Sequence, residues 1–378
     1  MKEFIGNGSI KILHKILMEN NFKNVFFITG KSTLTQKNIK KVLGLIEKKC
    51  QLFHYDEISP TPTVKGVNRV LNSFNKGNFD LIVAMGGGSA LDIGKSLAVF
   101  SKNEGNVKDF LLKKKKIQYQ PTPLILIPTT AGTGSEVTHF AVIFDGYTKY
   151  SLADEKYIHA DYAIIDPELT YTLPKRITAY TGMDALSQGI ESYWNVNSTE
   201  KSKEYASKAI KLVMENIIKA VHGPDKNSRY NMAIAANYAG KAINITKTTA
   251  CHAISYPITS YFKVPHGHAV VLTLPSMIVF NSEVNENDVL DSRGFDYVKN
   301  IMADLTTLLG AKSFLEAKEK LNDILKRIGL ETKLSDLGVS TQEEIEIIIK
   351  NGFNPERVKN NPRLLTENQL KNIINEIR

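Results

Sequence analysis

Four short, nearly continuous apolar runs punctuate the first 170 or so residues, and each is closed by a turn. Val25-Phe26-Phe27-Ile28-Thr29 ends at Gly30, and Leu81-Ile82-Val83-Ala84-Met85 ends at Gly86-Gly87-Gly88. Leu124-Ile125-Leu126-Ile127-Pro128 is followed by Thr129-Thr130-Ala131-Gly132-Thr133-Gly134, and Tyr162-Ala163-Ile164-Ile165 by Asp166-Pro167. Runs without polar alternation, separated by helical patterns, predict parallel strands covered on both faces. Beyond Pro174 the strand pattern stops. Amphipathic helices are predicted over 177–193, 200–220 and 230–244, with several more to the C-terminus, and the polar stretch 281–295 reads as a loop. The expected fold is an α/β domain with a parallel sheet over 1–173, followed by an all-α domain over 174–378, with a cleft between them.

The 378 residues are 42% hydrophobic and 23% charged, as in a globular protein of more than one domain. No apolar run approaches the roughly 18–20 residues of a membrane span, and the first residues, Met1-Lys2-Glu3-Phe4-Ile5-Gly6, lack the apolar region of a signal peptide. A cytoplasmic location is expected. Two cysteines, Cys50 and Cys251, do not make a disulfide framework and read as buried thiols. The formal net charge of +9 admits nucleic acid, an anionic membrane surface or an anionic small substrate. Its densest run, Lys113–Lys116, lacks interleaved aromatics and reads as a solvated loop. Neither a nucleic-acid nor a membrane partner is expected.

Parallel sheets bind ligands at the carboxyl ends of their strands, and two candidate loops fall at such ends. Gly86-Gly87-Gly88-Ser89 lies between an apolar run and a predicted helix over 90–100. There the glycines allow close backbone approach, and the helix N-terminus offers free N–H groups to a diphosphate. Thr129, Thr130 and Thr133 place hydroxyls at the next strand end, suited to phosphate and ribose oxygens. Asp92 and Lys149 are further candidate cofactor contacts. Gly30, Lys31 and Ser32 occupy the end of the first predicted strand, where an acidic residue would repel a 2′-phosphate. Their chemistry favours NADPH, with NADH as the alternative.

In the second half, Asp184 and Gln188 stand at i and i+4 on a helix opened by Pro174 and Thr178, and so share one face. Cys251-His252 and, after a proline-bounded turn at Pro257, Pro265-His266-Gly267-His268 bring imidazoles. One carboxylate with two or three imidazoles suits a divalent transition metal with an open position. Tyr256, one turn after His252, and His268 are candidate proton relays. Lys241, Asn244 and Lys247 precede His252 and are candidates to bind an anionic substrate group.

Taken in order, GGGSALDIGK (86–95), PTTAGTGSE (128–136), DPELTYTLP (166–174), GMDALSQGIES (182–192), TTACHAISY (248–256) and VPHGHA (264–269) resemble the iron-containing (group III) alcohol dehydrogenase family. The resemblance implies a nicotinamide cofactor, a metal, a small alcohol or aldehyde substrate and a homo-oligomer. It assigns the metal to an Asp and three His, which fall on Asp184, Gln188, His252 and His266. Gln188 therefore departs from the pattern, and Fe²⁺ as the implied metal has Zn²⁺ and Mn²⁺ as alternatives. The wording of 182–194, 240–260 and 265–275 is similar to the phosphonoacetaldehyde reductase (2-hydroxyethylphosphonate dehydrogenase) branch. The alternatives are another small alcohol or aldehyde, an enzyme akin to dehydroquinate synthase or a polyol-phosphate dehydrogenase, and a binding protein in which Gln188 has ended the chemistry.

Overall fold

The computed structural model describes every residue except Thr35 and Gln36, and every side chain except theirs and those of Ser32, Lys37, Asn38 and Glu356. Six parallel strands, β1 (Lys2–Ile5), β2 (Asn24–Thr29), β3 (Gln51–Tyr55), β4 (Leu81–Gly86), β5 (Leu124–Pro128) and β8 (Tyr162–Ile165), form one sheet in the order β1-β8-β5-β4-β2-β3. The four apolar runs are its central strands. The registers Val25↔Leu81 and Ile82↔Leu124 align them so that odd and even residues reach opposite faces. Val25, Phe27, Leu81, Val83, Ile125 and Ile127 enter one apolar cluster; Phe26, Ile28, Ile82, Ala84, Leu124 and Leu126 enter another. Both faces are dry, which explains the absence of alternation.

Two strands of the sheet and one hairpin were not expected. β1 and β3 are edge strands with half-exposed, mixed sequences, KEFI and QLFHY, which carry little apolar signal. β6 (Phe140–Asp145) and β7 (Thr148–Ala153) form a separate antiparallel hairpin around Gly146.

The sheet reverses direction at one place. From β2 the chain adds β3 on one side, then crosses to add β4 on the other. The carboxyl ends of β2 and β4, at Thr29-Gly30 and Gly86-Gly87, flank this switch point, where open α/β sheets bind ligands. Helix α1 (Gly88–Phe100) starts from β4 and lies directly on the sheet. Gly94 permits the contact, since a Cβ there would sit 2.5 Å from the Ala84 Cβ.

One buried ion pair ties α1 to the chain that follows β5. Lys95 is 1% exposed, and its ammonium donates to the Ser135 and Thr138 hydroxyls and the Phe140 carbonyl at 2.9, 2.8 and 2.8 Å. Burial pulls its pKa down to about 8 against the opposing pull of Asp92. Asp92 accepts from Ser135 Oγ at 2.6 Å and from the Val142 N–H at 3.0 Å.

The chain divides into two compact units, one of residues 1–130 and 134–173, the other of 131–133 and 174–378. Residues 131–133 depart from the expected boundary because they pack with the helical unit: a Cβ on Gly132 would lie 2.7 Å from the Thr181 Cβ. The helical unit is built on α2 (Lys175–Trp194), α3 (Glu200–His222), α4 (Lys226–Thr246), α5 (Ala250–Phe262) and α6 (His266–Ser282), followed by further α-helices to the C-terminal end. Pro257, expected at a turn, lies inside α5. The helix continues through it because a proline removes only one ladder hydrogen bond, and residues 250–258 are all buried by packing. Residues 283–294 form the expected loop. Both cysteines are free and buried, and Lys113–Lys116 is exposed. Among the described residues, no helix is long and apolar enough to cross a membrane.

Removing the Lys95 ammonium leaves Asp92 as a buried carboxylate without its cation. Lys95→Ala is expected to destabilise the α/β unit by about 3–5 kcal/mol. Chemical unfolding followed by far-UV circular dichroism checks this, and the Asp92→Asn/Lys95→Met double variant should recover part of the loss.

Candidate metal and cofactor sites

Helix α2 is buried on nearly every side, and its faces are chemically divided. Gly182 and Gly189 admit Ile217 and Met232, and Ile210, from the neighbouring helices. Another face carries Asp184, Gln188 and Glu191 at i, i+4 and i+7, all buried. Those residues need polar partners, and α5 and α6 supply them.

Asp184, His252 and His266 offer ligand atoms within 4.8 Å of one another. His252 Nε2 lies 3.6 Å from Asp184 Oδ1. The two imidazole centroids are 5.4 Å apart at 66°. The Ser255 hydroxyl donates to the His252 carbonyl at 2.8 Å and can accept from His266 Nδ1–H, 3.4 Å away, an arrangement that makes His266 Nε2 the candidate ligand nitrogen. Gly267 brings α6 onto α2, since a Cβ there would fall 2.1 Å from the Tyr180 carbonyl oxygen and 2.8 Å from the Asp184 Cβ.

The donor set fits a divalent cation. Asp184 Oδ1 and Gln188 Oε1 are buried and take no hydrogen bond from the protein. Such acceptors are costly to leave unmatched, and a carboxylate, an amide carbonyl and two imidazoles are all ligands for a borderline metal. The electrostatics agree. Burial would raise the Asp184 carboxyl, but His252, His266 and Gln188 hold it below its ordinary range. Burial would lower His252, but Glu191 and Asp184 raise it to about 10. The pocket is thus strongly attractive to positive charge.

Glu191 was not among the expected site residues, although the spacing Asp184-Gln188-Glu191 on one helix face carries the signal. It is wholly buried, and its carboxylate meets His252 Nδ1. Tyr256 stacks on His266 with centroids 6.3 Å apart, beside the cluster.

His268 is turned away. Two residues of α-helix rotate a side chain by about 200° from His266. Its Nε2 donates to the Glu331 carbonyl at 2.8 Å, and its burial lowers its pKa. It does not serve the cluster. Lys241 is also elsewhere. Arg229 bonds Thr178 and Thr246 bonds Ser192, and Met232 packs at Gly182, which together define the stripe of α4 facing α2. Lys241 lies between about 120° and 180° around the helix from those residues, with its ammonium 6.0 Å from the Tyr205 and Tyr238 ring centroids. Asn244 is half-buried, and Lys247 is exposed just past the end of α4.

At the switch point of the sheet, Gly87 caps α1 without a side-chain hydrogen bond, so the first N–H groups of a 13-residue helix face the loop. Thr129 N–H donates to the Gly86 carbonyl at 2.9 Å, joining the two candidate loops. The Ser89 hydroxyl is committed to the Pro60 carbonyl, which leaves the backbone at 87–89 as the phosphate-facing group. Asp92 is not a cofactor contact: both carboxylate oxygens are used inside the fold. Lys149 sits on β7 and adds positive potential at Asp92. Thr130 borders Gly87, and Thr133 belongs to the segment packed with the helical unit. Gly30 precedes a short helix at Lys31, and the Ser32 side chain lies outside the described residues.

A parallel sheet with an anion-binding helix start, joined in one chain to a buried Asp-Gln-His-His cluster, defines a metal-containing, nicotinamide-linked dehydrogenase. Residues 2–167 match the family described as Iron-containing alcohol dehydrogenase, and residues 178–377 match the Fe-containing alcohol dehydrogenase family, C-terminal. The chain belongs to the iron-containing alcohol dehydrogenase family. An NAD-dependent methanol dehydrogenase of Bacillus methanolicus is 31% identical over 384 residues, 98% of this chain and 96% of that protein. An NADPH-dependent butanol dehydrogenase of Clostridium saccharobutylicum is 30% identical over 382 residues, covering 98% and 94%. The crystal structure of sulfoacetaldehyde reductase from Bifidobacterium kashiwanohense in complex with NAD⁺ superposes with a TM-score of 0.87 at 29% identity, covering 100% of this chain and 96% of that one.

Two predictions follow from glycines with opposite surroundings. A Cβ on Gly267 has no room, so Gly267→Ala should push α6 from α2, destabilise by about 1–3 kcal/mol and weaken Mn²⁺ binding, as read by thermal unfolding and calorimetry. A Cβ on Gly30 meets nothing nearer than Ile58 at 3.8 Å, so Gly30→Asp fits. It should weaken NADPH much more than NADH, measured by fluorescence titration of each.

Proposed function

We propose that this chain reduces a small anionic aldehyde, with phosphonoacetaldehyde yielding 2-hydroxyethylphosphonate as the leading candidate, using NADPH or NADH and a divalent metal. The observation that carries the reading is the buried pair of unmatched acceptors, Asp184 Oδ1 and Gln188 Oε1, beside two oriented imidazoles. The similarity to a sulfoacetaldehyde reductase supports the substrate class, because a sulfonate and a phosphonate on a two-carbon aldehyde pose the same problem of charge. The wording of 182–194 and 240–275 supports the phosphonate member of that pair.

Asp184, Gln188, His252 and His266 would hold Fe²⁺, with Zn²⁺ or Mn²⁺ as alternatives. A bound divalent cation supplies Lewis acidity to a carbonyl oxygen. The other tasks belong to the chain. The backbone of Gly87, Gly88 and Ser89 would hold the cofactor diphosphate at the start of α1. Thr129, Thr130 and Thr133 offer hydroxyls and N–H groups to its remaining polar atoms. Gly30 would leave space for a ribose at the end of β2. Tyr256, stacked on His266, is the candidate to pass a proton to the product oxygen. Lys247 and Asn244 are the candidates for the anionic tail, and Lys241 is withdrawn from that role by its place over Tyr205 and Tyr238.

A substrate panel with each cofactor tests the proposal. Phosphonoacetaldehyde should be reduced with a kcat/KM at least about tenfold above that of an uncharged aldehyde of similar size, the scale of one charged hydrogen bond. Lys247→Ala should erase most of that preference, and Lys241→Ala should preserve it. A wild-type enzyme indifferent to the charge would return the substrate to the wider range of small alcohols and aldehydes.

A further inference from the structure

The cluster has two imidazoles where the family pattern has three, so the orientation of each matters more. His252 is held from behind. Glu191 is 0% exposed, one turn beyond Gln188 on α2, and both of its oxygens are engaged. Oε2 contacts His252 Nδ1. Oε1 accepts from the Thr249 hydroxyl at 2.8 Å and from the His252 backbone N–H at 3.2 Å. Thr249 is itself fixed, because its hydroxyl oxygen accepts from the buried Trp194 indole N–H at 3.1 Å. The carboxylate therefore has two anchors that set its position and one contact that acts on the ring.

We infer that Glu191 is a positioning residue for metal capture: it takes the Nδ1–H of His252 and so fixes the tautomer and the rotation that present Nε2 toward Asp184. The geometry supports this independently of any bound ion, since Nε2 is already 3.6 Å from Asp184 Oδ1. A carboxylate behind an imidazole also makes its other nitrogen a stronger donor. In this chain that gain offsets part of what an amide at 188 lacks relative to an imidazole. Glu191 touches neither substrate nor cofactor in this role; it acts through His252. The inference rests on the proposed metal site, and the experiment separates the two.

Chelator-stripped full-length protein is titrated with Mn²⁺ alone, following free Mn²⁺ by electron paramagnetic resonance. Wild type should bind one equivalent, and Asp184→Ala should bind none. If wild type binds none, or Asp184→Ala binds as wild type does, the metal site itself fails. With the site established, Glu191→Gln should weaken Mn²⁺ about 10–100-fold, the usual scale for an outer partner of a ligand. Glu191→Asp should recover part of that loss. NADH binding should stay close to wild type, which a loss of general packing would not allow. Thr249→Val, which removes only an anchor, should weaken Mn²⁺ by a smaller factor and gives the same reading if Glu191→Gln fails to fold. Mn²⁺ affinity within twofold of wild type in both Glu191→Gln and Thr249→Val would overturn the inference.

Discussion

Two carboxylates, Asp184 and Glu191, are buried seven residues apart on one face of α2, and the helical unit is organised by what it takes to accommodate them. Isolated carboxylates in a protein interior are costly unless paired. Here one residue, His252, stands between them, with Nδ1 on Glu191 and Nε2 toward Asp184. That demand explains why α5 begins where it does, why Thr249 and Trp194 are locked together at its start, and why Gly267 lets α6 touch α2 and bring His266 in. Asp184 Oδ1 and Gln188 Oε1 remain without a protein hydrogen bond, as acceptors offered to a cation would.

The α/β unit follows a different logic. Its sheet is held by apolar burial on both faces, so polar function is confined to strand ends, where backbone and hydroxyls face outward from the core. The buried Lys95–Asp92 pair couples α1 to the chain after β5, and the Thr129–Gly86 hydrogen bond joins the two loops. A glycine-rich loop depends on such supports, because it has few side-chain contacts of its own to set its shape.

Lys241, expected near the substrate, shows how local reasoning goes astray. Lys241 precedes His252 by only eleven residues, yet it lies across α4 from the face that meets α2. Distance along the chain says nothing about the side of a helix unless the packed stripe is known, and that stripe is marked by Arg229, Met232 and Thr246 in three dimensions. His268 repeats the lesson at closer range, since two helical residues suffice to place it opposite His266. Asp92 does so again: a carboxylate in a glycine-rich motif is used inside the fold to hold Lys95 and Ser135.

Strong local signals carried most of the architecture. The central strands β2, β4, β5 and β8, the helical second half, the glycine-rich turns and the Asp184–Gln188 spacing were legible in the sequence because each depends on periodicity or on backbone permissiveness, which are properties of neighbouring residues. The edge strands β1 and β3 were not legible, since their pairing partners, not their composition, make them strands. Pro257 within α5 and the membership of residues 131–133 in the helical unit were likewise settled by packing. The contact of Glu191 with His252, and the placing of Lys241 and His268 away from the cluster, required tertiary structure, because a buried charge takes its meaning from the groups that the fold brings to it.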